Sequence, residues 1–416
     1  MNIKTKVGLH NEFRLERRKA IFHEDGTWSP GELVQEAFGY NLILNQGTER
    51  MAIIYESGIN NDNSTESRVI RRSASAGTGN SFGGYISVGS GSGTLEATRT
   101  TLFNRLATYY ANFHEREISS NWASYTQVYT VQPEQLVGQN ITEVGLGGTS
   151  TEARLHTHAL LTDSEGNPIT ITNKTDTEVV VIYAKVFMDI SSFVPAGQGE
   201  VGAGENNAVL YMFYNNGYGD NAGTVGRFPL DYGIGKDGTA MGETALTNAG
   251  GVKDFVLRGN AIPFITRTGS ILAYSMRVST AEANGEKIKE IGLSKMTRGP
   301  EFGTNLTRRP VFRATLPNSI YSGHAITDEL VGSGNGSQTV FSAAWNEWNN
   351  DAVTVKVNDV VVSSGVTINR PAGSVEIVPA PSSGEVKLSY GVGYIPKDDQ
   401  HVLDISYELH FTDANA

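Results

Sequence analysis

Val180-Val-Ile-Tyr-Ala-Lys-Val-Phe-Met-Asp-Ile190 carries an apolar side chain at every even-numbered position. Further along the chain, Leu403-Asp-Ile-Ser-Tyr-Glu-Leu-His-Phe411 alternates apolar and polar residues in the same way. A period of two places alternate side chains on opposite faces of an extended strand. Both stretches therefore predict long β-strands, each with one buried face.

The glycine content supports the same fold class. The chain has 47 glycines in 416 residues, and many stand beside Asn, Asp and Ser between short apolar runs, as in strands joined by turns. Helical periodicity is scarce by comparison. Its best candidate is residues 98–117, where Leu102, Leu106 and Tyr109 have the spacing of a helix face. The chain is therefore predicted to be all-β.

The sequence also repeats itself. Gly138-Gln-Asn-Ile-Thr-Glu-Val-Gly-Leu146 is echoed by Gly285-Glu-Lys-Ile-Lys-Glu-Ile-Gly-Leu293. Three flanking segments recur in the same order, namely 122–128 with 272–278, 154–161 with 309–316, and 179–190 with 402–412. Four matching elements in one order predict two related units, about 118–192 and 268–412. We interpret them as duplicated β-sandwich, jelly-roll-like units.

The second copy is longer because of an insertion. Val353-Thr-Val-Lys-Val-Asn-Asp-Val-Val-Val362 reads as two strands, and Asn358-Asp359 suits the turn between them because both residue types tolerate positive φ. We predict a small Ig-like β-sandwich module there. The predicted domains are 1–117, an N-terminal β region with a Gly-rich loop; 118–267, the first sandwich unit with long Gly/Asn-rich loops; 268–328 plus 397–416, the second unit; and 329–396, the inserted module.

Two loops and a hairpin are predicted outside these strands. Apolar residues within 10–46 are consistent with a first hairpin, and residues 74–94 and 200–251 read as Gly-rich loops or arms. Long loops often carry partner contacts. The glycines taken as candidate interface positions are Gly83, Gly84, Gly89, Gly91 and Gly93.

Composition excludes several classes. A net charge of -11 argues against nucleic acid as a partner, which requires clustered Lys and Arg. The absence of cysteine removes disulfides and thiolate metal sites. The opening residues have no apolar run that would act as a signal peptide, and no stretch approaches the ~20 apolar residues of a membrane span. We expect no membrane insertion.

No motif nominates an active site. The Gly-rich stretch at 77–93 lacks the Gly-Lys-Ser/Thr ending of a phosphate-binding loop. His156-Thr-His158 would place two imidazoles on one strand face, but without an obvious third ligand a metal is not predicted. The acid pairs at Glu115 with Glu117 and at Asp398 with Asp399 are ordinary in an acidic protein. We therefore predict no enzyme activity, no catalytic residue, no metal and no cofactor.

Trp345 and Trp348 lie close together in the sequence, and this aromatic pair could have either of two roles. On a small sandwich they can form a platform on which a sugar stacks. They can also fill the module core or an assembly interface, and we favour this second interpretation.

Several N-terminal and central segments resemble structural proteins of tailed bacteriophages. Asn11-Glu-Phe-Arg-Leu15 followed by Glu36-Ala-Phe-Gly-Tyr-Asn-Leu-Ile-Leu-Asn45 resembles the opening of a group of phage tail-region proteins. Val88-Gly-Ser-Gly-Ser-Gly-Thr94, then Thr98-Arg-Thr-Thr-Leu-Phe-Asn104, is similar to their glycine-rich signature. Ile141-Thr-Glu-Val-Gly-Leu146 resembles another recurrent element of that group.

The inserted region shows a second resemblance. Gly332-Ser-Gly-Asn-Gly-Ser-Gln-Thr-Val-Phe341 and Leu388-Ser-Tyr-Gly-Val392 are similar to small β modules grafted into many phage proteins. Together the resemblances cover about half of the chain and contain no catalytic motif. They imply a virion structural protein, assembled in the bacterial cytoplasm, whose functional residues lie at interfaces.

The leading hypothesis is a non-enzymatic assembly protein of the tail, baseplate or neck, present in several copies that contact one another and other virion proteins. Deleting 74–94 is expected to leave the fold intact and abolish incorporation into particles. A capsid decoration or head-fibre protein is the alternative. A binder of host-surface glycan is a second alternative, for which aromatic residues and paired carboxylates should converge in one groove.

Overall fold

The computed structural model describes residues 2–56, 82–150, 154–193, 199, 201–215, 231–235, 255–259, 264–298, 306–316, 321 and 323–415. Its first elements are β1 (Asn2–Phe22), β2 (Trp28–Tyr40), β3 (Leu42–Ile43), α1 (Asn45–Glu56), β4 (Tyr85–Gly89), β5 (Arg105–Tyr110), β6 (Asn112–Ile118), β7 (Trp122–Val131), β8 (Glu143–Gly147), β9 (Leu155–Leu160) and β10 (Glu178–Asp189). After a short 3-10 helix (Gly204–Asn206) come α2 (Ala208–Asn215), β11 (Asp231–Gly235), β12 (Phe255–Gly259), β13 (Phe264–Thr268), β14 (Ile271–Val278), β15 (Glu286–Ile288), β16 (Glu290–Arg298) and β17 (Leu306–Thr315). The remaining strands are β18 (His324–Ser333), β19 (Val340–Ser342), β20 (Thr354–Val357), β21 (Val360–Val361), β22 (Val366–Asn369), β23 (Ser374–Ile377), β24 (Glu385–Val392), β25 (Ile395–Lys397) and β26 (Leu403–Asp413).

The two alternating stretches form β10 and β26, as predicted, and both pair with β1. β1 runs antiparallel to β10 and parallel to β26 in an eight-stranded sheet of order β13-β14-β26-β1-β10-β7-β6, and β2 pairs with β1. Val180, Ile182 and Val186 are fully buried because the even side chains of β10 face the core. The fold is all-β, and the predicted hairpin within 10–46 is confirmed as β1–β2.

Strand pairing repeats along the chain. The series β4-β5-β6-β7-β8-β9-β10 and the series β11-β12-β13-β14-β16-β17-β26 have one pairing scheme. One layer of the first copy has the order β5-β4-β8-β9, which is matched by β12-β11-β16-β17 in the second. The other layer has the order β6-β7-β10, which is matched by β13-β14-β26. Each copy is a sandwich with one layer in the eight-stranded sheet. The sequence repeat covers only the last four strands of each copy. The repeat in strand pairing begins three strands earlier, at β4 in the first copy and at β11 in the second.

The helices tie the copies together. α1, which precedes the first copy, contacts β9 of that copy and β13, β14 and β26 of the second. α2, which precedes the second copy, contacts β16 and β17 of that copy and β6, β7 and β10 of the first. Tyr55 of α1 donates its hydroxyl proton to the backbone oxygen of Val209 in α2 at 2.7 Å. One continuous hydrophobic core therefore joins both copies.

Residues within 324–392 form two further sheets, β18-β24-β20-β21 and β19-β23-β22, around a separate hydrophobic core. Asn358 and Asp359 have φ of 53° and 64° between β20 and β21, which confirms the predicted turn. This small sandwich is the inserted module. The exact limits of the four predicted domains stay a prediction.

The structure changes the interpretation of three stretches. The region 200–251 is not only a loop, because it contains α2 and β11. Residues 98–117 do not form a helix, because 105–110 and 112–118 are the strands β5 and β6, which meet at the buried residue Ala111. The region 74–94 is not only a loop, because β4 within it pairs with β5 and β8. Its residues 74–81 lie outside the described residues. Deleting 74–94 would remove a central strand, so the expectation that the fold survives this deletion is also wrong.

Candidate functional site

Three of the candidate interface glycines, namely Gly89, Gly91 and Gly93, pack against Phe103 or Asn104 in the loop before β5. Gly83, Gly84 and Gly89 are buried, and Gly91 and Gly93 approach Phe103 closely. A Cβ atom on Gly91 would lie 2.2 Å from the Cβ atom of Phe103, so a larger residue would displace the loop. In the described chain these glycines serve close packing, and their role at an interface stays a prediction.

Glu143 on β8 anchors that loop. Its carboxylate is fully buried and accepts hydrogen bonds from the backbone amides of Gly91, Phe103 and Asn104 at 2.8–2.9 Å. His158 donates Nε2–H to Glu143 Oε2 at 2.8 Å. Burial raises the pKa of Glu143, but these hydrogen bonds lower it more, so the pKa lies below its ordinary value.

The second copy has an acid–base pair at the same register. Glu143 and Glu290 begin β8 and β16, and both are fully buried. Gly145 pairs with His158, and the matching Gly292 pairs with Arg313. Arg313 donates Nε–H to Glu290 at 2.7 Å. The duplication therefore keeps a buried acid–base contact and changes only its basic partner, which indicates a structural role.

The two histidines predicted to share a strand face bind separate partners. His156 is buried and hydrogen-bonds through Nδ1 to the backbone oxygen of Phe82, while His158 binds Glu143. Burial lowers the pKa of His156 to about 4. In the part of the chain that the structure describes, no three His, Cys, Asp or Glu residues are grouped so as to hold a metal.

The acid pairs are occupied by local contacts. Glu117 binds Lys185, and Glu115 accepts a hydrogen bond from the Thr126 hydroxyl at 3.4 Å. Asp398 accepts a hydrogen bond from His401 at 2.8 Å in an exposed turn. These local contacts do not assign the pairs a reaction.

The tryptophan pair belongs mainly to the module core. Trp348 is 6% exposed, and its ring stacks on Tyr390 with centroids 4.6 Å apart. Its indole N–H donates to the backbone oxygen of Trp345 at 2.7 Å. Trp345 is half-buried and packs edge-on against Tyr394. Two rings held in this way do not present a flat platform to a sugar.

A projecting arm is formed by residues 18–35 of the β1–β2 hairpin. Ladder pairing of β1 with β10 ends at Lys19, so Leu33, which pairs with Arg18, lies at the base of the arm, and Ile21 and Phe22 lie in its two-stranded part. Four large apolar side chains there are 42–57% exposed, namely Ile21, Phe22, Leu33 and Val34. Exposed apolar side chains on both strands of a hairpin are typical of a contact surface.

A cleft of about 490 Å³ lies on the outer face of the eight-stranded sheet. One cross-strand row runs through it over β2, β1, β10, β7 and β6. In strand order, the residues of this row are Tyr40, Glu12, Lys185, Thr126 and Glu115. Strands are about 4.8 Å apart, so the row is about 19 Å long.

Aromatic residues flank this row. Phe38 and Tyr183 come from the neighbouring row, in which both pair with Arg14. His114 is the extra residue where β6 bulges against β7, and its ring meets Tyr183 edge-on with centroids 5.9 Å apart. Bulges often re-aim a side chain in this way. Tyr40 is 70% exposed. The cleft therefore combines accessible rings with charged and polar groups.

The cations of the cleft are already paired. Arg14 contacts Glu16 at 2.7 Å and Glu36 at 2.5 Å, and Lys185 contacts Glu117. Within the described residues, by contrast, the side chain of Glu12 forms no hydrogen bond or ion pair. The hydroxyls of Tyr40 and Tyr183 also form no hydrogen bond with the described residues. This cleft could not be predicted from the sequence, because its residues share no motif and meet only through strand register.

Comparison with protein-family models, with curated proteins and with solved structures finds no match to this chain. Neither α1 nor α2, the α-helices of the described residues, has the length and apolar composition needed to cross a membrane.

Proposed function

We propose that this protein is a non-enzymatic structural component of a tailed-phage particle, placed at the tail, baseplate or neck. The resemblance of its segments to phage structural proteins supports the phage assignment. The observation that supports an assembly role most directly is the arm, whose side chains Ile21, Phe22, Leu33 and Val34 are 42–57% exposed in the described part of the chain. Covering such side chains is favourable by about 25 cal/mol per Å² of apolar surface buried.

The arm is better suited to docking through the two faces of its ribbon than through its strand edges. Pro30 lacks an N–H group, and the β1–β2 ladder shifts register at Arg17/Arg18 and Arg18/Ala20. Proline and bulges make a strand edge a poor template for another strand. Ile21 and Phe22 are adjacent and therefore point to opposite faces of the ribbon. We infer that the arm inserts between surfaces of neighbouring virion subunits.

Immunogold labelling of particles made by the genome that encodes this chain tests the placement, with antibody raised against residues 329–396. Gold at the tail, its tip or the neck is the expected result. Gold over the head would replace this placement with capsid decoration or a head fibre. Absence of the protein from purified particles, checked by mass spectrometry, would reject the virion role.

A variant pair tests the arm. Phe22→Asp with Leu33→Asp should yield a folded protein that is lost from particles, because charges replace exposed apolar contacts. Val360→Asp with Val361→Asp is the matched control, since these module residues are 67% and 59% exposed. Incorporation of the arm variant at the control level would remove the arm from the assembly mechanism.

A further inference from the structure

We propose that the outer-face cleft is a binding site for a saccharide that carries no acidic group. The proposal concerns the isolated chain and does not depend on the virion role. It begins from the row Tyr40–Glu12–Lys185–Thr126–Glu115, which the strand registers bring together. A volume of about 490 Å³ is in the range of small-molecule sites.

The rings supply the apolar part of recognition. Tyr40 is 70% exposed, and Phe38 and Tyr183 line the same cleft. A sugar ring has one face of C–H groups, which packs on an aromatic face, while its hydroxyls point to the side. Tyrosine suits such a site because its ring is apolar and its hydroxyl is a hydrogen-bonding group.

The polar groups supply hydrogen bonds. Glu12 accepts none from the described residues, and a carboxylate has about four lone-pair sites for a donor. The hydroxyls of Tyr40 and Tyr183 are also without a hydrogen-bond partner among the described residues. Hydroxyl-rich ligands satisfy both acceptors and donors, so a saccharide matches this set better than an apolar ligand does.

Charge restricts the class of sugar. Arg14 is already held by two carboxylates and Lys185 by Glu117, whereas Glu12 is unpaired among the described groups. An anionic ligand would meet a free carboxylate without a free cation to balance it. A neutral sugar avoids this repulsion, and its hydroxyls form charge-assisted hydrogen bonds to Glu12.

The backbone argues against a peptide strand in the cleft. Its central strands β1, β10 and β7 each pair on both sides along the row, so their N–H and C=O groups are used in the sheet. Strand addition needs an open edge. Recognition there depends on side chains alone, as it does for a sugar lying on a sheet face.

Saturation-transfer NMR on the full chain tests the site with methyl α-glucoside, methyl β-galactoside, N-acetylglucosamine and, for contrast, glucuronic acid. The sugars are titrated to about 50 mM, so that a Kd of a few millimolar is detected. At least one neutral sugar should bind saturably and more tightly than glucuronic acid. No neutral sugar binding, or equal binding of glucuronic acid, overturns the proposal.

Three variants locate the binding. Tyr40→Ala should weaken the affinity at least about fivefold, because it removes a ring of the cleft that is 70% exposed. Glu12→Gln keeps the side-chain size and should weaken it about threefold or more, through loss of the charged acceptor. Phe22→Ala, an exposed aromatic on the arm, should bind like the unchanged protein. Wild-type affinity in both cleft variants would place binding elsewhere and overturn the proposal.

Discussion

Among single residues, His156 governs part of the response to acid. Burial lowers its pKa to about 4, whereas an unfolded histidine titrates near about 6.5. Between these values the unfolded chain binds more protons than the folded one, so stability falls as the pH decreases. From pH 7 to pH 5 this group should cost about 2 kcal/mol in the free energy of unfolding.

Urea denaturation at the two pH values measures this loss. His156→Gln should lower stability at pH 7 but reduce the additional loss at pH 5, because the titrating group is gone. In the control variant His23→Gln, at the exposed tip of the arm, stability should fall between pH 7 and pH 5 by as much as in the unchanged protein. An undiminished loss in His156→Gln would show that other groups cause the acid sensitivity.

The buried glutamates show what single positions could have predicted. Glu143 and Glu290 occupy the same place in the repeated segment, where each begins a strand and is followed by a β-branched residue, Gly and Leu. A carboxylate kept at one register of both copies is a signal of a buried, partnered group. Its partners, the loop amides in one copy and Arg313 in the other, are distant in sequence and could not be predicted.

At the scale of elements, the module should depend strongly on Trp348. Trp348→Ala should destabilise the module by about 3–5 kcal/mol, because it removes a buried ring that stacks on Tyr390. Trp345→Ala should cost about 1 kcal/mol, since that ring is half-buried. Hydrogen exchange of the β24 amides measures the difference, with β10 as the internal reference. Equal exchange rates in the two variants would contradict this assignment.

Strands were predicted better than helices, for a physical reason. β10 and β26 each bury one face, so their sequences alternate. α2 is Ala-Val-Leu-Tyr-Met-Phe-Tyr-Asn and is buried nearly all round, so it lacks the polar face that identifies a helix. In 98–117 the helical spacing was outweighed by pairing of β5 with β4 and of β6 with β7.

The repeat could be predicted from the sequence, but one alignment was three residues out of register. Matching 122–128 to 272–278 places the half-buried Trp122 opposite the buried Leu272. The turns that follow the two strands instead align Val131 with Val278, and therefore Tyr125 with Leu272. Leu136 and Ala283 have φ of 53° and 56°, and Gly138 and Gly285 have φ of 77° and 78°. A slip by an odd number of residues reverses the faces of a strand, and the burial pattern and the following turn reveal it.

For the molecule as a whole, β1 joins the two copies. Val7 is fully buried on the segment of β1 that pairs with β26, and Lys6 beside it is exposed. Val7→Asp should cost more than about 3 kcal/mol, because it buries a carboxylate without a partner. We expect the copies to unfold at different urea concentrations, so that circular dichroism and tryptophan fluorescence give separate transitions. Lys6→Asp should retain one transition, and a single transition in both variants would show that β1 does not couple the copies.

The cleft is a property of the whole molecule in the same sense. Its central row takes one residue from each of five strands, and these five residues lie between positions 12 and 185 of the chain. The polarity of each residue could be seen in the sequence, but their proximity depends on strand order and register. These arise from long-range pairing, which period-two patterns do not specify.

The hydroxyl of Thr5 donates to the hydroxyl of Tyr407, across 402 residues of chain. A ribosome adds about 5–20 residues per second, so roughly 20–80 s pass between the synthesis of these two partners. During that interval β1 can pair with β2 and β10, but its β26 side has no native partner. The newborn chain must keep this edge from other nascent chains until β26 emerges, which makes the order of translation part of how the protein reaches its fold.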